Sequence, residues 1–379
     1  MKRFYPVLIL PALAALLLSA CATIGPEIAS PEIEAFEKVL RSKSTRFFID
    51  QNLRLQVVGT RLLKALAEQD RNDTVPYLGL LAEEATDLLS EALEVPKREG
   101  VLILGVVPGG PAVRAGLQAG DYLEKIGQKT ITTLQDFATV SELELKGPTP
   151  VLVRRGETLV EASVDVEHLP WNVEFKVVED DAVDAFATPE TITITTGMLR
   201  FLRSDDELAI VVGHELAHIT RRHTLGRVAL TVPTLILGVV AGVLAPGTQR
   251  LVTNFVERVV ANLIRVAVTK VDRDMEREAD IFGLLYAHSA GYDPRAGSVV
   301  WERFAVELPR SMTSALFAVH PPSTERLLRI QKLVDALLSG LPVRAILEQA
   351  PPPRPEGEER TGATQGEKDS GPYSTLDTL

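Results

Sequence analysis

The chain has 379 residues, 45% of them hydrophobic, which is enough for two or three domains, each with a core. Its formal net charge is −11, and no basic cluster is interleaved with aromatic residues, which argues against a nucleic-acid partner. The single cysteine, Cys21, excludes an intramolecular disulfide, so its part is chemical rather than structural.

Lys2 and Arg3 precede an apolar stretch from Phe4 to Leu17, which ends in Leu18-Ser19-Ala20-Cys21. This is the pattern of a secretory signal with a small-residue cleavage site. Pro6, Pro11 and the short span count against an uncleaved transmembrane anchor. The tetrad resembles a bacterial lipobox, which implies a signal peptide over 1–20, lipidation at Cys21 and a tether over 21–30. Two or three acyl chains hold a protein firmly to a membrane, whereas one gives marginal binding. Ala22 stands where an inner-membrane retention signal would have Asp, so the expected address is the periplasmic face of the outer membrane. A helix follows over 31–70, with Ser30 as its cap and Pro31 in the first turn.

From 75 to 168 the chain becomes rich in Gly, Val and Leu with frequent turn signals. Gly105-Val106-Val107-Pro108-Gly109-Gly110-Pro111-Ala112, then Ala115-Gly116-Leu117 and Gly120-Asp121, resemble a PDZ domain of the bacterial protease type. The resemblance makes Tyr77-Leu78-Gly79-Leu80 the loop whose backbone N–H groups receive a peptide C-terminal carboxylate. It makes 134–143 the helix walling the peptide groove. On this reading the segment is an insertion, and the helical part over 31–74 belongs with the chain from 169 to 348.

Ser204-Asp205-Asp206-Glu207 reads as a capping box, with Glu three residues after a Ser cap. The apolar Leu208, Ile210, Val211 and Val212 follow, then His214-Glu215-Leu216-Ala217-His218. Two histidines four apart on a helix lie about 40° from each other, so both imidazoles can reach one metal ion. Glu215 projects beside the metal, where it can take a proton from a water whose pKa zinc lowers to roughly 7. A buried His-Glu-His cluster without a partner would cost several kcal/mol, and a metal removes that cost.

A catalytic zinc needs three protein ligands. His223 follows His218 by five residues and is expected on another helix face, which disfavours it as a ligand. Glu276 and Asp280 are four apart on a later predicted helix. That spacing suits one carboxylate on the metal, Glu276, and a second, Asp280, bonded to a ligand histidine's outer N–H. Glu278 lies about 200° round from Glu276 and is expected to face elsewhere.

His-Glu-Leu-Ala-His, the later Glu-x-x-x-Asp and the His320-Pro321-Pro322 run ending at Arg326 resemble the gluzincin-type zinc metallopeptidases. That family includes the HtpX proteases, the CAAX prenyl endopeptidases and periplasmic lipoprotein relatives. The resemblance takes in 171–198 as strand, turn and strand, with Asp184-Ala185-Phe186 at the turn where the family has Asn first. It implies an α+β fold: a mainly helical zincin-like core with a small sheet, and the β-rich PDZ segment inserted. It places His320 near the metal, capping the site or stabilising the oxyanion.

The residues from 228 to 249 carry no charge, and they are expected to form a helical hairpin on the core or at the membrane surface. The tail over 349–379 is too poor in large apolar residues to fold. The expected function is that of a lipid-anchored endopeptidase, with one zinc ion per chain, cleaving cell-envelope proteins in quality control. Its partners would be protein substrates, peptide C-termini on the PDZ domain, and the membrane. An envelope chaperone or adaptor working through the PDZ domain, with a latent zinc site, is the other reading. A serine mechanism is disfavoured, because no Gly-x-Ser-x-Gly elbow occurs.

Overall fold

The computed structural model describes residues 28–66, 74–142, 145–223, 273–308, 324–341 and 345. The chain divides between Ser44 and Thr45 into two compact units. The first helix, α1 (Ser30–Ala65), runs through that point; it starts one residue before the expected helix and ends five residues short of it. Beyond Thr45 it has two buried faces. Ile49 and Leu53 pack with Leu81, Leu102, Leu104 and Tyr122. Leu55, Val58, Leu62 and Leu63 enter the largest core.

Seven strands follow in one sheet: β1 (Val75–Tyr77), β2 (Leu80–Glu84), β3 (Val101–Val106), β4 (Tyr122–Ile126), β5 (Lys129–Thr130), β6 (Gly147–Arg155) and β7 (Thr158–Leu169). Their order is β1-β7-β6-β4-β3-β2, with β5 paired to β4. Alternation explains the buried face. In β7, Ala162, Val164 and Val166 point inward while Glu161, Ser163 and Asp165 face solvent. Val101, Ile103, Ile126, Val151 and Val153 complete that core. Val75 pairs with Leu169, so the two ends of this segment lie side by side.

Three short helices join these strands: α2 (Asp87–Leu93), α3 (Pro111–Arg114) and α4 (Leu134–Ala138). The helix expected over 134–143 is α4 continued by a 3₁₀ turn, Thr139–Glu142. Thr133 and Asp136 close a full capping box on α4.

A second sheet holds β8 (Glu174–Val178), β9 (Ala185–Ala187) and β10 (Thr191–Thr195), in the order β8-β10-β9. Strand β10 runs parallel to β8 and antiparallel to β9. The expected turn at Asp184-Ala185-Phe186 is therefore the entry to an edge strand. Asp184 still makes a local bond, because its carboxylate accepts from the Ala185 N–H at 3.0 Å. Helices α5 (Thr196–Phe201), α6 (Asp205–Thr220), α7 (Arg273–Ser289), α8 (Arg295–Glu307) and α9 (Thr324–Leu338) complete the described chain. Their apolar faces meet Phe175, Ile192 and Ile194 in the largest core, and α6 is buried from Glu207 to Ile219. Helices and strands combine in an α+β fold, as expected. Among the described residues no helix is long and apolar enough to cross a membrane.

Candidate metal centre

Helix α6 is fixed at its start by Ser204, whose hydroxyl accepts from the Glu207 N–H at 3.2 Å. The reciprocal arm of the box goes elsewhere. Glu207 accepts from the Arg203 N–H at 2.8 Å, and both its oxygens take the Arg303 guanidinium at 2.6 Å. Burial pushes the Glu207 carboxyl up, but Arg303 and Arg203 together outweigh it and hold the group below its usual range. This bidentate pair locks α6 to α8.

Helix α7 crosses α6 where two glycines meet. A Cβ at Gly213 would lie 2.6 Å from the Gly283 carbonyl oxygen, and one at Gly283 would lie 2.6 Å from the His214 nitrogen. No larger residue permits that approach, and it sets the α7 carboxylates beside the α6 imidazoles. His214 Nε2 and His218 Nε2 are 3.2 Å apart. Glu276 sets one oxygen 3.4 Å from the first and the other 3.5 Å from the second.

All three residues are buried, and they form a group able to hold a metal ion. A tetrahedral ion with bonds of about 2.0–2.1 Å separates its ligand atoms by about 3.3–3.4 Å. The nitrogen pair at 3.2 Å and the nearest carboxylate approach at 3.4 Å fit edges of that length, and two imidazole nitrogens with a carboxylate are a donor set suited to zinc.

Around the triangle lies a second layer. Asp280 Oδ1 is 3.1 Å from Nδ1 of His214. Arg326 of α9 grips both oxygens of Asp280, at 2.8 and 2.7 Å, and lies over the Trp301 ring at 3.7 Å. The Trp301 ring in turn meets that of His214 edge-on at 5.5 Å. Burial opposes a charge on His214, but Asp280 and Glu276 outweigh it and raise its pKa to about 9. Burial likewise opposes charge on Asp280, and Arg326 and His214 hold its carboxyl low.

Glu215 follows His214 on α6 and is buried. His223 is not displaced to another face. Its Nδ1 is 3.1 Å from Nδ1 of His218, on the side of that ring away from the triangle. Glu278 stands off the triangle but bonds His223 at 3.1 Å and Arg221 at 2.6 Å. Cys21, His320, residues 228–249 and the tail over 349–379 lie outside the described residues.

Tyr77, Leu78, Gly79 and Leu80 bridge β1 and β2. The Leu78 carbonyl accepts from Ala112 and the Gly79 carbonyl from Val107, each at 2.9 Å. Gly79 has φ +74°, in the region that favours glycine.

Arg326 and Trp301 carried no role in the sequence reading. Only the placing of Arg326 at the end of the His-Pro-Pro run hinted at one.

Comparison with known proteins agrees with this geometry. The model of peptidase family M48 matches residues 148–334, and that of a PDZ domain matches residues 102–155. The mitochondrial metalloendopeptidase OMA1 of Arabidopsis thaliana is 32% identical over 166 residues, covering 44% of this chain and 32% of that protein. The beta-barrel assembly-enhancing protease of Yersinia pestis is 25% identical, covering 52% of this chain and 43% of that protein. Each match spans less than two thirds of the relative's own length. The crystal structure of the HtrA3 PDZ domain bound to a phage-derived ligand is 23% identical, covers 25% of this chain and 88% of that one, and has a TM-score of 0.22. The chain thus carries a region matching peptidase family M48, residues 148–334, and one matching a PDZ domain, residues 102–155.

Proposed function

We propose that this protein is a zinc-dependent metalloendopeptidase, and that His214, His218 and Glu276 hold one zinc ion per chain. The observation that carries the proposal is the buried donor cluster: His214 and His218 Nε2 lie 3.2 Å apart on the helix that also bears Glu215, and Glu276 of α7 sets one oxygen 3.4 Å from the first and the other 3.5 Å from the second. When bound, zinc supplies a Lewis acid that polarises a carbonyl and acidifies a water. Glu215 takes the proton from the attacking water and passes it to the departing amide nitrogen. Asp280 fixes the ring of His214, and Arg326 neutralises Asp280 in turn. Strand β9 is the edge of the small sheet beside α6, where an extended substrate can add as a further strand. His320 acts near the metal as a cap or an oxyanion donor.

The proposed domain map has a signal peptide over 1–20, a tether over 21–30, peptidase segments over 31–74 and 169–348, a PDZ domain over 75–168 and a tail over 349–379. Juxtaposition of Val75 and Leu169 supports an insertion. In the PDZ domain the loop Tyr77–Leu80 receives a peptide C-terminus, which then pairs with the edge strand β2. Cys21 anchors the protein to the periplasmic face of the outer membrane, and its work is on envelope proteins in quality control. The name of the Yersinia pestis relative, a beta-barrel assembly-enhancing protease, supports an envelope role.

Metal analysis of the purified protein, beside casein cleavage with and without a chelator, tests the proposal. About one zinc per chain and chelator-sensitive cleavage are expected. Full cleavage by a metal-free preparation would refute it.

A further inference from the structure

We propose that His223 and Glu278 are positioning residues for His218, brought to it by a left-handed break at Arg222. The inference rests on the metal-site reading above and extends it to residues that touch no metal donor atom directly.

The geometry fixes who donates to whom. If His218 uses Nε2 toward the metal, its Nδ1 carries the proton. Nδ1 of His223, 3.1 Å away, is then the acceptor. That leaves the His223 proton on Nε2, which is 3.1 Å from Glu278 Oε2. The other oxygen of Glu278 accepts from Arg221 Nε at 2.6 Å. Every group in the line has one consistent role, with both imidazoles neutral and the carboxylate ionised. Arg221 is itself held over the Phe282 ring at 4.4 Å. Thr220 and Tyr286 tie the same end of α6 to α7 at 3.0 Å.

Local backbone conformation makes this possible. A helix continued past Thr220 would carry His223 about 140° away from His218. Instead α6 ends, and Arg222 adopts φ +59°. Arginine gains nothing locally from that conformation, which costs about 1–2 kcal/mol for a residue with a Cβ. What the break achieves is to fold His223 back until it is 4% exposed against the His218 ring. The two proposed ligand histidines thus have unlike supports. His214 leans on a carboxylate directly, and His218 reaches one through a second imidazole.

The test uses the full chain, with zinc affinity measured against a chromophoric chelator and the visible spectrum recorded after loading with Co(II). His223→Leu should bind zinc about 10–100-fold more weakly, the usual effect of losing such a partner. Its Co(II) bands should also shift. His223→Asn keeps an acceptor near the Nδ1 position and should recover most of the affinity. Arg222→Gly should keep wild-type affinity, because glycine takes the left-handed conformation freely, whereas Arg222→Val should lose it.

Wild-type affinity and spectrum in His223→Leu would overturn the inference. Equal losses in the Leu and Asn variants would do the same, since they would mark a packing role. Should His223→Leu fail to fold, Glu278→Gln decides: a several-fold loss with shifted bands supports the relay, and wild-type values overturn it. A wild-type chain that takes up no metal would instead refute the peptidase reading.

Discussion

Gly283→Ala tests the geometry on which the whole site depends. On an exposed helix the change would stabilise, since Ala is favoured over Gly by about 0.8–1.0 kcal/mol. At this crossing the new methyl would lie 2.6 Å from the His214 backbone nitrogen and 2.7 Å from its Cα. These are backbone atoms, so no side chain can swing away. Ordinary contact begins near 3.4 Å, so the helices must part by about 0.8 Å, the difference between 3.4 and 2.6. Overpacking of this kind costs about 1–3 kcal/mol, which exceeds the propensity gain.

The consequence for the donors follows directly. Moving Glu276 by about 0.8 Å stretches its 3.4 Å separation from His214 Nε2 to about 4.2 Å. That is well beyond the 3.3–3.4 Å or so that a tetrahedral ion of about 2.0–2.1 Å bonds allows. The variant should therefore unfold at lower denaturant concentration, and added zinc should raise its midpoint far less than in the wild type. Both are read from urea titrations with and without metal. A variant more stable than wild type, with an undiminished response to zinc, would refute the crossing geometry.

Other expectations follow from the same contacts. Glu215→Gln should abolish peptide hydrolysis while metal content stays near one per chain; cleavage close to wild type would sink its role as base. With a pKa of about 9, His214 is protonated in the metal-free protein at neutral pH, so metal uptake must displace that proton. Affinity should rise with pH up to about 9, and calorimetry in buffers of different ionisation enthalpy should count a proton released; a buffer-independent heat would contradict this. Leu53→Asp should loosen the seven-stranded sheet from α1, visible as faster proteolysis between the two, while zinc content is kept. Loss of zinc in that variant would show that the sheet supports the metal site directly.

Much of the site was legible because its spacing is local. His214 and His218 share one helical turn, and Glu276 and Asp280 share another, so a period of 3.6 residues finds both pairs. Arg326 is different. It reaches Asp280 from 46 positions away, and its seat on Trp301 exists only after α8 and α9 have packed. His223 was misplaced for a sharper reason: helix arithmetic assumes that the helix goes on, and Arg222 ends it with a conformation that no pattern announces for arginine. Gly213 and Gly283 left a usable trace. Glycine weakens a helix interior by roughly 0.5–1 kcal/mol, so one in each ligand-bearing helix calls for a reason, and close backbone approach is the common one. The β-rich character of 75–168 was visible through its turn signals and glycine pattern, but the face its sheet turns to α1 was not, because Ile49 and Leu53 read simply as part of a helix.

That last contact changes what the proposed insert is. A module hung on two linkers would need no complementary surface toward the rest of the chain. Here α1 is a wall shared by two cores: Ile49 and Leu53 serve one, while Leu55, Val58, Leu62 and Leu63 serve the other. Gly105 of β3 records the closeness, since a Cβ there would be 3.2 Å from the Leu53 side chain. One ion pair also spans the junction, Lys64 to Glu167 at 2.6 Å, and Arg114 of the sheet domain holds the same carboxylate at 2.7 Å. Those groups are partly exposed, and such pairs contribute about 0–1 kcal/mol each. The apolar seam therefore decides the docking. Strand β2, the proposed peptide-binding edge, carries Leu81 into that seam on its other face. A peptide taken up along β2 would thus be held by a strand braced on the helix that also lines the catalytic core, and the PDZ domain would present its cargo from a fixed wall rather than from a swinging arm.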